Sequence, residues 1–249
     1  MINRIRTILA IISLGVYVII TLPLIGICHI VRIFNVKAAH LIAQFLLRII
    51  FKFIIFIGGS KLEVKGEENI PDCAVLFTAN HRGIFDIVAA YATIKKPMSF
   101  IGKIELSRIP VLHGWMKLMN GLFLDRNDIR QGLKTILSAA LNISKGISVW
   151  IFPEGTRKKG CPETEMLPFK QGSFKIASKG ECPIVPVALS GMADALDDKK
   201  FVLQPAQVII SFLPPVYPEQ LEENDRRHIA EYVQDIIHTE LVSLNQKKQ

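Results

Sequence analysis

The run Asn80-His81-Arg82-Gly83-Ile84-Phe85-Asp86 puts an imidazole and a carboxylate five residues apart, directly after the apolar stretch Ala74 to Ala79. A histidine held by an acid is a general base with its orienting partner, two thirds of a Ser-His-Asp triad. The serine is dispensable when the substrate brings its own hydroxyl. On a straight helix, residues five apart point about 140° away from each other, so the pair meets only if the chain turns between them. Gly83 offers the place for that turn. Each residue alone has a plainer reading. Asp86 stands before Ile87-Val88-Ala89-Ala90 as a helix N-cap would, and His81 serves as a hydrogen-bonded loop residue.

Two further clusters change the balance. Trp150-Ile151-Phe152-Pro153-Glu154-Gly155-Thr156-Arg157 again sets polar groups just past an apolar run, with Pro153 and Gly155 marking a turn. Gly155 allows close approach to the backbone, and Arg157 presents a planar donor fork suited to phosphate. Gly121-Leu122-Phe123-Leu124-Asp125-Arg126 repeats the scheme. Each arginine taken singly reads as half of a surface ion pair, Arg126 with Asp125 or Asp128 for example. Three such clusters at strand ends in one chain point to a shared site, because ligands gather beyond the carboxyl ends of parallel strands.

The elements that must carry these groups alternate. The pattern predicts strands over Lys61–Lys65, Ala74–Ala79, Met98–Gly102, Gly121–Leu124, Ile147–Phe152, Ile184–Ser190 and Gln207–Phe212. Helices are predicted over Asp86–Ile94, Ile109–Met119, Asp128–Lys145, Lys170–Lys179 and Glu222–Leu244, the third capped by Asn127 and closed at Gly146. Val75–Phe77 and Val149–Ile151 are apolar on both alternating faces, as central parallel strands are. The fold class is therefore α/β, a layered, mostly parallel sheet flanked by helices. The Gln246–Gln249 end is expected to fray.

Half of the residues are hydrophobic and the mean hydropathy is +0.33, an excess concentrated at the N-terminus. Residues 1–60 contain Arg4, Arg6, Arg32, Lys37, Arg48 and Lys52 and no acid, so they carry +6 of the formal charge of +8. A nucleic-acid binder spreads its basic excess over a soluble face. Here it flanks apolar sequence, as beside anionic lipid headgroups, and nucleic acid is not the expected partner. Thr7 to Val31 has no charged side chain, which exceeds the ~20 residues of a spanning helix and is too long for a signal peptide. Basic residues on both sides leave its orientation open, and Pro23 offers a place for the chain to bend back. In Ala38–Ile57, His40, Gln44, Arg48 and Lys52 recur every fourth residue on an otherwise apolar helix, a stripe suited to the headgroup–acyl boundary. Gly58-Gly59-Ser60 reads as a hinge. The expected division is thus an N-terminal membrane-anchoring helical segment, residues 1–57, and a catalytic domain, residues 61–245. The four cysteines show neither zinc-ligand spacing nor a disulfide framework, so free thiols and no metal are expected.

In order, these blocks resemble the glycerolipid acyltransferase family, and within it the branch acting on 1-acylglycerol 3-phosphate. The resemblance rests on H-x4-D at His81–Asp86, Gly121–Arg126, Phe152–Arg157 and Val185-Pro186-Val187. Lys103-Ile104-Glu105-Leu106 and Leu167-Pro168-Phe169-Lys170-x-Gly172 are similar to the segments that accompany them. It covers roughly residues 60–215; Leu124 replaces a usual β-branched residue. The resemblance implies a glycerol-3-phosphate acyltransferase-like fold, no bound cofactor, and acyl-CoA or acyl carrier protein as co-substrate. It implies a lysophospholipid acceptor, with another lysophospholipid or a lyso-ornithine lipid as alternative acceptors and a non-enzymatic lipid-binding protein as the remaining reading. His81 would be the base and Asp86 its partner. Lys103, Arg126, Glu154, Gly155, Thr156 and Arg157 would bind substrate, and Gly121 and Pro186 would be structural or line the acyl side. A bacterial-type inner membrane, with the catalytic domain on the cytoplasmic face, is the implied setting.

Overall fold

The computed structural model describes residues 1–158, 160–197 and 201–246. The end expected to fray lies, from Lys247 onward, outside the described residues. The chain opens with two long helices, α1 (Ile2–Phe34) and α2 (Val36–Gly58), both long and apolar enough to cross a membrane. Pro23 does not turn the chain. It sits inside α1, and the reversal falls at Asn35, extended at φ −148°, whose side chain accepts the Ala38 N–H to start α2. Arg6 lies against Gly59, so the two helices run back to back. Gly59 is a helix cap rather than a hinge: at φ +74° it closes α2, and Ser60 leads directly into β1.

The remainder runs β1 (Lys61–Lys65), β2 (Leu76–Ala79), α3 (Phe85–Thr93), β3 (Met98–Lys103), α4 (Pro110–Leu118), β4 (Leu122–Leu124), α5 (Ile129–Ser144) and β5 (Ser148–Ile151). Then come α6 (Lys175–Gly180), β6 (Ile184–Ser190), α7 (Met192–Ala195), a ribbon of β7 (Leu196–Asp197) and β8 (Val202–Leu203), β9 (Gln207–Phe212), α8 (Glu223–Arg227) and α9 (Ile229–Gln246). Seven strands form one sheet in the order β1-β9-β6-β2-β5-β3-β4. β6, β2, β5, β3 and β4 are mutually parallel, and β9 joins β6 antiparallel with β1 beside it. Side chains alternate between two cores. Phe77, Trp150, Val185 and Val187 face Ala89, Tyr91 and Trp115. Leu76, Val149 and Ile184 face Ile143, Ile176, Val233 and Ile237. Strands covered on both faces are apolar throughout, which is why the runs carry so few polar residues.

Three local expectations shift. Asp128, not Asn127, caps α5 by accepting the Arg130 and Gln131 N–H groups, while Asn127 N–H is taken by Asp125. The segment predicted as one helix over Lys170–Lys179 is a 3-10 turn, Gln171–Phe174, followed by α6. The helix predicted over Glu222–Leu244 breaks at His228 into α8 and α9. The Gln171 side chain fills the break, donating to the Arg227 carbonyl and accepting from Ala230 N–H.

The polar stripe of α2 divides: Lys52 is exposed, whereas His40, Gln44 and Arg48 turn into the domain and not towards headgroups. His40 and Gln44 are buried against the segment between α3 and β3. Gln44 donates to the Ile94 and Lys96 carbonyls and accepts from Met98 N–H, His40 bonds Asn120, and Arg48 donates to the Ile94 carbonyl. Backbone carbonyls supply the acceptors that the acid-free stripe lacks in its own segment. The apolar side points outward instead, with Leu41, Ile42, Phe45, Ile49, Phe53 and Phe56 exposed.

Candidate active site

β2 ends at Ala79, and Asn80 fixes its exit. The buried side chain donates to the Leu189 carbonyl at 2.9 Å and accepts the Leu189 N–H at 2.8 Å, tying β2 to β6. His81 follows at the carboxyl edge of the sheet. Its Nδ1 lies 2.6 Å from Asp86 Oδ2. The same oxygen accepts the N–H groups of Arg82 at 2.8 Å and Gly83 at 3.0 Å. The turn through Gly83 is thus wrapped around the carboxylate, which is wholly buried. Asp86 sits in the first turn of α3 but does not cap it, since it reaches back to amides that precede the helix. With Nδ1–H given to Asp86, Nε2 is the basic nitrogen, on a side chain 12% exposed. The Phe152 ring covers one face of the imidazole at 4.0 Å between centroids and 13° between planes.

Glu154 follows β5, the strand beside β2. Oε1 accepts the His81 N–H at 2.7 Å and Oε2 the Leu167 N–H at 2.8 Å. Burial pushes the Glu154 carboxyl above the ordinary carboxylate range, and the two amides and the charges of His81 and Arg82 pull it back. Each oxygen accepts one backbone N–H and the group is buried, so the contacts Glu154 makes are with the protein's own backbone, and it shapes the site through the loops it holds. It joins the His81 loop to the loop after β5.

The next two strands carry the outlying cations. Lys103 ends β3 in register with Leu124, and Arg126 lies two residues past Leu124. Both are exposed. Although its side chain reaches solvent, partial desolvation by neighbouring groups lowers the Arg126 guanidinium from its usual value, and the Glu105 carboxylate pushes back. Asp125 and Asp128 spend their carboxylates on backbone N–H groups, so the ion pairs suggested for Arg126 are not made among the described residues. Thr156 is exposed and Arg157 half-buried. His81, Glu154–Arg157, Lys103 and Arg126 thus leave the carboxyl ends of the adjacent strands β2, β5, β3 and β4.

Gly155 has φ +71°, and a side chain there would meet Lys170 Nζ at 2.9 Å. What approaches its backbone is therefore the Lys170 side chain, a cation beside the Thr156–Arg157 turn. Gly121 lies at the start of β4, away from this edge, where a Cβ would collide with Met116 at 2.7 Å. Pro186 is buried in β6 opposite Thr78. Its carbonyl accepts the Leu213 N–H at a bulge, where three residues of one segment (213–215) oppose two of the neighbouring strand (185–186) between the pairs Val187↔Phe212 and Ile184↔Val216. A residue without N–H fits that gap.

Asn80, Arg82 and Phe152 lie inside the motif blocks, and nothing in their residue types or spacing marks the parts they play. Arg82 is buried and donates to the Cys161 and Glu165 carbonyls, pinning the loop after β5 beside His81. Glu163 in that loop accepts from Ser190 and Gly191 at the end of β6. The sequence signal for Lys170 was the segment Leu167–Gly172. No group of three or more His, Cys, Asp or Glu that could hold a metal occurs among the described residues.

A family model described as Acyltransferase matches residues 61–190. A Saccharomyces cerevisiae protein named 1-acyl-sn-glycerol-3-phosphate acyltransferase is 33% identical over 178 residues, 71% of this chain and 58% of that one. An Escherichia coli protein of the same name is 31% identical over 173 residues, 69% of each chain. The crystal structure of a 1-acyl-sn-glycerophosphate acyltransferase from Thermotoga maritima shares the fold, with a TM-score of 0.79, 23% identity and 97% of both chains covered. The matched region holds all four motif blocks on one sheet, and the chain belongs to the acyltransferase family.

Proposed function

We propose that this chain transfers a fatty acyl group from acyl-CoA or acyl carrier protein to the free hydroxyl of 1-acylglycerol 3-phosphate, giving phosphatidic acid. The observation that carries the reading is the 2.6 Å contact between His81 and a buried Asp86 at the carboxyl edge of the sheet. Nε2 takes the proton of the acceptor hydroxyl as its oxygen attacks the thioester carbonyl. Asp86 stabilises the imidazolium that forms. The tetrahedral intermediate then expels the thiolate as the C–S bond breaks, and the proton on His81 passes to sulfur. Lys103, Arg126 and Arg157, with Thr156 and Lys170 beside them, hold the acceptor phosphate through charge-assisted hydrogen bonds. The names of the yeast and E. coli relatives support this acceptor.

Residues 1–57 act as the membrane anchor and residues 61–245 as the acyltransferase domain, at the cytoplasmic face of a bacterial-type inner membrane. The exposed apolar sides of α1 and α2 support attachment to lipid. The test is the full-length protein purified in detergent and offered labelled 1-acylglycerol 3-phosphate, other lysophospholipids, lyso-ornithine lipid and monoacylglycerol with each donor. Phosphatidic acid formed in preference to other products is the expected result. No product from 1-acylglycerol 3-phosphate with either donor would overturn the proposal.

A further inference from the structure

Its bond to Cβ and the Asp86 hydrogen bond at Nδ1 hold the His81 ring along one edge, which leaves the tilt that aims Nε2 to be set by other contacts. A second constraint is present. Phe152 lies face to face with the imidazole at 4.0 Å and 13°, and it is itself held by Phe100 at 6.1 Å and Trp150 at 6.2 Å, both buried. Pro153 follows immediately and restricts the backbone that carries the ring. Phe100 in turn packs on Tyr91 at 5.0 Å, and Tyr91 on Phe51 of α2 at 6.2 Å. The catalytic ring thus rests on a stack of side chains rooted in the sheet core and the anchor.

We propose that Phe152 is a positioning residue for the reaction, setting the tilt of the His81 ring and stabilising the positive charge that ring acquires with the acceptor's proton. The inference rests on the acyl-transfer reading above. An aromatic face attracts a cation more than a neutral ring, so the contact strengthens as the proton moves onto Nε2. Interactions that strengthen on the way to the transition state raise kcat rather than substrate affinity.

The test compares Phe152→Leu and Phe152→Tyr with the parent and with His81→Ala, all full-length in detergent micelles with 1-acylglycerol 3-phosphate and the donor the parent uses. Phe152→Leu keeps an apolar side chain of similar bulk and loses the aromatic face, so kcat should fall about 3- to 30-fold while KM for both substrates stays within about twofold. Phe152→Tyr keeps the face and should restore kcat to within about twofold of the parent. If Phe152→Leu does not fold, Phe152→Met takes its place. Parental kcat in the leucine variant, a loss confined to KM, or a tyrosine variant no better than leucine would each overturn the inference. An inactive parent or an active His81→Ala would instead overturn the acyl-transfer reading beneath it.

Discussion

An alkyl hydroxyl is a poor nucleophile at neutral pH, and a general base, the role proposed for His81 with Asp86, contributes about 10²–10⁴-fold. His81→Ala should therefore remove turnover to that extent and leave the chain folded and membrane-bound. Asp86→Asn can still accept the Arg82 and Gly83 N–H groups, so the turn should persist while activity drops with the lost charge; full activity there would reduce Asp86 to a structural residue. Arg157→Lys swaps a planar fork for a point charge, and KM for the acceptor should rise about ten- to a hundredfold with little change for the donor. Monoacylglycerol, which lacks the phosphate, should not distinguish parent from variant; an effect on the donor alone would move Arg157 to the thioester side. Glu154→Gln leaves one acceptor for two N–H groups, at a cost of about 1–3 kcal/mol. Because burial raises the Glu154 carboxyl in the folded state, its ionisation there is disfavoured, and stability falls as pH rises through that raised value. The parent's advantage over Glu154→Gln should therefore shrink from about pH 4 towards neutrality. Denaturant melts of both proteins across that range check the sign, and a widening gap would contradict it.

At the scale of elements, α2 is built into the domain. Its stripe of His40, Gln44 and Arg48 satisfies backbone groups at Ile94, Lys96 and Met98, and Phe51 packs on Tyr91. Deleting residues 1–57 should thus strip partners from buried carbonyls and expose core side chains. The truncated protein is expected to aggregate or to need detergent. Gel filtration without detergent reads the outcome, and a monodisperse, soluble, active fragment would show that the anchor is a detachable tether.

Across the whole molecule, the helical pair lies along the domain from end to end. Near its open end Thr7 accepts the Leu203 N–H, and near its turn Arg32 donates to the Leu118 carbonyl and the Asn120 side chain. With both ends bonded to one domain, the pair cannot carry its turn to the far side of a bilayer and keep these contacts. In sealed vesicles, cysteines replacing Ile2 and Lys37, in a chain whose own Cys73 is removed, should react with an impermeant reagent from the same side. Reaction at Lys37→Cys from the opposite side alone would show a crossing. High salt should not extract the intact chain, since salt screens charge but not apolar insertion.

What the amino-acid sequence determined by itself was local and periodic. Ile184–Ser190 and Gln207–Phe212 were legible as strands to the residue because buried strands are continuous apolar runs, and Lys61–Lys65 because apolar and charged residues alternate along an edge strand. His81 and Asp86 stood out because few residue pairs perform base chemistry, and the later blocks multiplied that signal. Tertiary structure decided what depends on partners distant in the chain. That Glu154 ties two loops together depends on amides of His81 and Leu167, 73 and 13 residues away. The stripe of α2 read as facing lipid headgroups because its acceptors are backbone carbonyls, which every residue carries and no composition reveals. The face of Phe152 against His81 was likewise invisible, since stacking depends on how β5 is placed beside β2, and only long-range pairing of the sheet sets that neighbourhood.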